Sequence, residues 1–117
     1  MPYLQLNTSV RLSDTEKHDL CEEIGKIMPA IPGKTRQNTM MYINDGCYME
    51  MGDAANPMLN LEVRLLGNES DDIKKDYIGK ITKLFEDKLK VQPSYMYINL
   101  IPYDDWGVNG SLMIAKK

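Results

Sequence analysis

Two stretches decide the reading of this chain: SDTEKHDLCEEIGKIM at residues 13–28 and SDDIKKDYIGKITKLF at residues 70–85. They align without gaps at a shift of 57 positions, and six of the sixteen are identical: Ser, Asp, Lys, Asp, Ile and Lys. Each opens on a serine able to cap a helix. In the first, Glu16 stands three residues after Ser13, which completes a capping box. Behind the caps, Leu20, Ile24, Ile27 and Met28 recur at helical spacing. So do Ile73, Tyr77, Ile78, Ile81, Leu84, Phe85 and Leu89. Pro29 and Pro32 stop the first helix, because proline has no amide to donate.

The flanks of both helices read as strands. Residues 3–10 place Leu4 and Leu6 on one face and Tyr3, Gln5 and Asn7 on the other. Residues 58–66 alternate in the same way, with Leu59, Leu61, Val63 and Leu65 opposed to Asn60, Glu62 and Arg64. Further strands are expected at 39–44 and 95–101. Asp45-Gly46 signals a turn, and Cys47 to Met51 is expected to return as a short hairpin arm. The tail is rich in turn residues around Pro102, Gly107 and Gly110. The repeat therefore predicts an α+β fold: duplicated β-α-β units forming a four-stranded mixed sheet with two helices on one face. The uncovered face would carry Met40 or Met41, Tyr42 and Tyr97, and such a face calls for a partner, self-association being the simplest.

Length and composition fit this picture. A chain of 117 residues suits one domain, taken as 1–117, with a core large enough to fold without staples. A net charge of −3 and a pI near 5.1 argue against nucleic acid, which needs a basic footprint. No polybasic run addresses a membrane surface, and no apolar run approaches the ~20 residues that span one. The start lacks the charged and apolar regions of a secretory signal, so a cytoplasmic location is expected. Asn7, Asn68 and Asn109 match the glycosylation pattern by chance on that reading. Cys21 and Cys47 have neither zinc spacing nor a disulfide framework.

Conventional catalytic sets are missing. His18, between Lys17 and Asp19, reads as a solvated helix residue with no triad partners. No glycine-rich phosphate loop or metal-ligand cluster occurs, so no cofactor or metal is expected. Attention turns to Pro2. Its small size permits removal of Met1, which would leave a secondary amine at the chain's start. An α-amino group titrates near ~7.7–8.0, and burial or nearby cations lower that value. A neutral amine near pH 7 is a competent base towards a carbon acid. Many chains begin Met-Pro, so this signal alone is weak.

Several motifs strengthen it. The start Pro2-Tyr3-Leu4-Gln5-Leu6-Asn7-Thr8, Gly33-Lys34 after the first helix, Gly52 with Pro57, and Lys88 to Pro93 leading into Met96-Tyr97-Ile98-Asn99 occur in that order. Trp106-Gly107-Val108-Asn109-Gly110-Ser111 follows. Together they resemble the macrophage migration inhibitory factor family over essentially the whole chain. The resemblance implies a homotrimer with sheets facing inward. It also implies keto–enol tautomerisation of phenylpyruvate-type substrates with Pro2 as the base. Lys34 would pair with the substrate carboxylate or carbonyl. Tyr97 and Asn99 would come from the neighbouring subunit, Leu66 would contact the ligand through its backbone, and Val108 or Trp106 would form an apolar wall. Each has a plainer reading: Lys34 as a solvated helix-exit residue, Tyr97 and Leu66 as packing, Asn99 as a strand-end partner.

The chain also departs from the family pattern. Met51-Gly52-Asp53 stands for Phe-Gly-Gly, and Arg64-Leu65-Leu66-Gly67-Asn68 for Ser-Ile-Gly-Gly-Ile. Thr35 replaces proline, Asn38 an aromatic residue, and Ser111-Leu112-Met113 lacks the usual Phe. Arg64 and Asp53 would add charge near the site. The resemblance leaves two further readings open. One is a cytokine-like protein that engages a protein receptor, with vestigial catalysis and unconventional release from cells. The other is a decarboxylating or dehalogenating relative using Arg64 and Glu62. The Cys-x-x-Cys of some relatives is absent, so no thiol-oxidoreductase activity is expected.

Overall fold

Ser13 and Ser70 cap the helices as their sequences require. The Ser13 hydroxyl accepts from the Glu16 amide at 3.1 Å, and the Glu16 carboxylate accepts from the Ser13 amide at 3.0 Å. Ser70 accepts from the Ile73 amide at 3.3 Å. In the computed structural model, which describes residues 1–116, the first helix (α1) is Asp14–Ile27 and the second (α2) Asp71–Leu89. The strands are β1 (Pro2–Thr8), β2 (Met40–Asn44), β3 (Leu59–Leu66) and β4 (Met96–Tyr103). A separate hairpin is formed by β5 (Asp105–Val108) and β6 (Ser111–Ile114).

The four-stranded sheet runs β2-β1-β3-β4. Each β-α-β unit joins parallel neighbours, β1 with β2 and β3 with β4, and the units meet antiparallel at β1 and β3. The register shows the duplication directly. Met41 lies beside Leu4, 37 positions on, and Ile98 lies beside Leu61, again 37 positions on. Across the central pair, Gln5 faces Glu62, its own counterpart at the 57-residue shift. A local two-fold axis therefore passes between Gln5 and Glu62 and exchanges the two halves.

Strand alternation puts Leu4, Leu6, Leu59, Leu61, Val63 and Leu65 under the helices. There they meet Leu20, Ile24 and Met28 of the first unit and Tyr77, Ile81, Phe85 and Leu89 of the second. Tyr77 is buried and turns its hydroxyl to the Met28 sulfur at 3.6 Å. Burial raises its phenol well above the ordinary range. The opposite face is uncovered. Three rows cross it: Met40-Tyr3-Arg64-Ile101, Tyr42-Gln5-Glu62-Asn99 and Asn44-Asn7-Asn60-Tyr97. Met40 and Tyr97, exchanged by the two-fold, are 69% and 64% exposed.

Two expectations need correction. Cys47–Met51 forms no hairpin arm, and the segment holds only an isolated bridge between Met51 and Ala54. The reason is Asp45. Its carboxylate accepts from the Leu12 amide at 2.8 Å and pairs with Lys17 at 2.9 Å. These contacts hold the carboxyl below its ordinary range. The turn is thereby tied to the start of α1, and the Gly46 and Cys47 amides bond Val10 and Thr8 instead of a returning strand. The tail, read as turns alone, is the β5–β6 hairpin. Asn109 and Gly110 both take positive φ, 51° and 75°, as a two-residue hairpin turn demands.

Candidate active site

The sheet register gathers the site at one end of β1. Pro2 is buried and lies opposite Leu65, while Tyr3 lies between Met40 and Arg64. A cavity of about 740 Å³ opens there. Its floor is Met1, Pro2 and Tyr3, and Asn38, Met40 and Arg64 form two sides. The tail supplies the remaining wall with Tyr103, Asp105, Trp106, Val108 and Asn109. Tyr103 and Trp106 pack edge to face at 5.6 Å between centroids. The Gly67 amide bonds the Tyr103 carbonyl at 2.8 Å, and the Ala115 amide bonds that of Asp104 at 2.8 Å. These bonds fix the base of the hairpin, and so the wall, to the end of the sheet.

The chain's own amine is the most perturbed group here. The Met1 amine is lowered from 8.0 to about 6. Burial is the first cause, followed by the positive charge of Lys34 and hydrogen bonding with it. Lys34 is placed by the loop that follows α1. Gly33 takes a φ of 80°, and the Lys34 amide bonds the Ile31 carbonyl at 3.1 Å. Two departures from the family pattern turn out to be one device. The Thr35 amide donates to the Asn38 side-chain oxygen at 2.9 Å, and the Asn38 amide donates to the Thr35 hydroxyl at 3.3 Å. The Asn38 side chain also donates to the Gly33 carbonyl at 3.3 Å. Where a proline would stiffen the loop, this reciprocal pair does so.

Arg64 stands on the open face beside Pro2. Its Nη2 donates to Glu62 at 3.0 Å and to Gln5 at 3.4 Å, and its Cζ lies 5.3 Å from the Tyr3 ring centroid. Pro2, Val108, Asn38 and Arg64 thus share one cavity with Trp106, and Lys34 reaches the amine at its floor. Leu66, Tyr97, Asn99 and Asp53 do not line it. Leu66 is half-buried at the end of β3, opposite Tyr103. Asp53 is exposed in the Met51–Ala54 turn. Tyr97 is level with Asn60 and Pro2 with Leu65, which sets them roughly 16 Å apart along the strands. Tyr97 and Asn99 instead line a second cavity of about 460 Å³, with Pro93, Ile78 and Thr82. Sequence reading missed Tyr3, Met40, Tyr103 and Asp105. The alternation around Pro2 carried the signal for Tyr3, and the Asn109-Gly110 turn carried that for the tail. Among the described residues, no cluster of three or more His, Cys, Asp or Glu side chains is placed to hold a metal ion.

Fold and site together define a class: an α+β protein of duplicated β-α-β units whose cavity gathers around its own N-terminus. The model of the macrophage migration inhibitory factor family matches residues 1–114, and the chain belongs to that family, within the tautomerase superfamily. Its fold is similar to that of MIF2 from Leishmania major, at 21% identity, 97% coverage of both chains and a TM-score of 0.88. It is also similar to the macrophage migration inhibitory factor of Toxoplasma gondii, at 15% identity and a TM-score of 0.83, covering 95% of this chain and 99% of that one. A third similar structure is Pt0534, solved after inactivation by 2-oxo-3-pentynoate. There the identity is 18%, the coverage 92% of both chains and the TM-score 0.78. At these identities the likeness carries the fold alone. No curated protein sequence matches the chain.

Proposed function

We propose that this protein is a tautomerase of phenylpyruvate-type 2-oxo acids, with the Pro2 amine, freed by loss of Met1, as its base. One observation carries the reading: the Met1 amine, one residue ahead of Pro2, is partly buried beside Lys34 at the cavity and lowered to about 6, and a Pro2 amine freed by loss of Met1 would begin the chain at that same corner. The same causes, burial and the Lys34 charge, would lower a Pro2 amine there and favour its neutral, proton-accepting form. Pro2 removes a proton from the carbon next to the substrate carbonyl, and the electron pair moves onto the oxygen as an enolate. The protonated amine then delivers the proton to that oxygen, completing the enol. Ketonisation runs the same steps backwards. Lys34 holds the substrate carboxylate and steadies the enolate charge. Val108 and Trp106 shield the reacting carbon from water.

Tyr97 and Asn99 act on the site of a neighbouring subunit in this reading, in a homotrimer. The uncovered sheet face and the exposed Leu112, Met113 and Ile114 of the tail hairpin support that assembly. A two-stranded hairpin is marginal by itself and gains from a surface to pack on. The whole chain, 1–117, works as one domain. A cytoplasmic location belongs to the proposal, and no described helix is long and apolar enough to cross a membrane.

The test pairs intact mass with ultraviolet measurement of phenylpyruvate ketonisation on the same sample. Loss of Met1 with turnover that falls by about 10²–10⁴ in Pro2→Gly is expected. Loss of Met1 with no turnover on keto–enol acids would sink the tautomerase reading and leave receptor binding as the function.

A further inference from the structure

We propose that Arg64 makes this cavity a site for 2-oxo acids that carry a second carboxylate. The inference rests on the Pro2 reading and narrows its substrate class. Two cations flank the base from different sides. Lys34 approaches the amine from the loop after α1, and Arg64 lines the cavity from β3, next to the residue that pairs with Pro2. One substrate carboxylate occupies one cation at most. A substrate with a single carboxylate on Lys34 leaves Arg64 with the charge of Glu62 alone, held through one nitrogen, in a partly enclosed space.

The arginine is held as a binding group. Both of its hydrogen bonds leave from Nη2, one to Glu62 at 3.0 Å and one to Gln5 at 3.4 Å. A guanidinium has five N–H donors in a planar fork. Among the described residues, Nη1 and Nε have no hydrogen-bond partner. Glu62 and Gln5 are the central pair of the sheet, so they anchor the fork on rigid backbone. The Tyr3 ring under Cζ fixes its plane. A fork oriented in this way suits bidentate capture of a carboxylate. In the single chain its side chain is 28% exposed and lines the cavity beside Pro2. Two negative charges oppose the idea. Glu62 offsets part of the cation but takes only one nitrogen. Asp105 lines the same cavity and is exposed, where water and salt screen it.

The experiment compares oxaloacetate, with two carboxylates, and phenylpyruvate, with one, by following enol absorbance. The mature chain, Arg64→Gln, Arg64→Lys and Pro2→Gly are assayed. In Arg64→Gln the ratio of kcat/KM for oxaloacetate over phenylpyruvate is expected to fall about 10–100-fold, mainly through KM, as loss of a charge-assisted hydrogen bond implies. Arg64→Lys should recover only part of it, because the fork is gone. A ratio within twofold of the unsubstituted chain overturns the inference while Pro2-dependent turnover stands. Turnover of both substrates that survives Pro2→Gly overturns the underlying reading instead. Binding of succinate against butyrate, followed by calorimetry on the unsubstituted chain, needs neither turnover nor a folded variant. Succinate should bind about tenfold tighter or better, and equal affinities overturn the inference.

Discussion

Replacing Lys34 by methionine isolates what the lysine does to the chain's amine. The unbranched methionine side chain keeps much of the lysine's apolar stem and removes its charge. In the native arrangement the amine sits at about 6, against 8.0 for an unperturbed terminus. At pH 7 that difference turns a group roughly 10% neutral into one roughly 90% neutral. Burial, the largest cause, remains in Lys34→Met, while the charge and the hydrogen bonding of Lys34 go. Two like charges ~4 Å apart repel by ~1 kcal/mol even in bulk water, which is ~0.7 of a pKa unit. The amine should therefore rise by at least about that much, leaving roughly two-thirds or less of it neutral at pH 7. The assay is the pH dependence of acetylation of the Met1 amine, read by mass spectrometry on the N-terminal peptide of chain retaining Met1. Lys34→Arg keeps a cation and should stay near the native value. The sign extends to stability. An amine with its folded value depressed binds protons more readily unfolded, so stability rises with pH between about 6 and 8.0. That rise should flatten in Lys34→Met. An amine that keeps its value, or moves down, on loss of Lys34 would refute the placement of the lysine as its electrostatic partner.

Two glycines in helix interiors should respond with opposite signs. A Cβ on Gly25 of α1 would come within 2.8 Å of Arg36 Cβ, near the root of a side chain that also pairs with Glu22 at 3.2 Å. Gly25→Ala should cost about 1–3 kcal/mol, a fall in Tm of roughly 5 °C or more. A Cβ on Gly79 of α2 meets nothing within 4 Å. Gly79→Ala should therefore gain about 1 kcal/mol from helix propensity. Thermal unfolding of the pair checks both signs. Asn38→Ala removes the two side-chain bonds of the loop device around Lys34, leaving the amide of residue 38 on the Thr35 hydroxyl, and should cost about 1 kcal/mol in urea unfolding. The loosened Lys34 should then bind substrate less well, so KM should rise more than kcat falls, and unchanged kinetics would show that the loop holds without it.

The parts of this fold that were legible in the sequence are those where one local rule acted without a tertiary competitor. Ser13 with Glu16, and Ser70, marked helix starts because capping is settled within four residues. Leu59 to Leu65 named their own face because strand alternation has a period of two. The hairpin arm at 47–51 failed because Asp45 is held by residues 12 and 17, a contact no local pattern announces. The β5–β6 hairpin was missed because Ser111–Ile114 is exposed throughout, so its strand shows no burial alternation. For the site, Pro2, Lys34 and Val108 came together because the repeat brings the first residues of the chain beside the loop after α1 and under the tail. Asn38 was read as a lost aromatic, and its structural meaning emerged only with Thr35 opposite it.

The two-fold relation between the halves explains why the proposed site cannot be completed within one chain. Its operation carries Pro2 onto Leu59, Lys34 onto Val91 and Met40 onto Tyr97, each at the 57-residue shift. One corner therefore holds an amine and a cation. The equivalent corner at the other end of the sheet has an ordinary amide and an apolar residue in their places, and holds Tyr97 and Asn99 instead. The proposed base, Pro2, thus belongs to the first half alone, and its counterpart in the second half is Leu59. A symmetry that sets the two corners at opposite ends also keeps them from meeting in a monomer. Bringing them together requires one copy's second corner to lie on another copy's first, a contact between unlike surfaces. Contacts of that kind propagate head to tail and end only when the rotation closes a ring. The homotrimer of the proposed function would be such a ring, and in that proposal every amine would be provided with the tyrosine and asparagine of a neighbour.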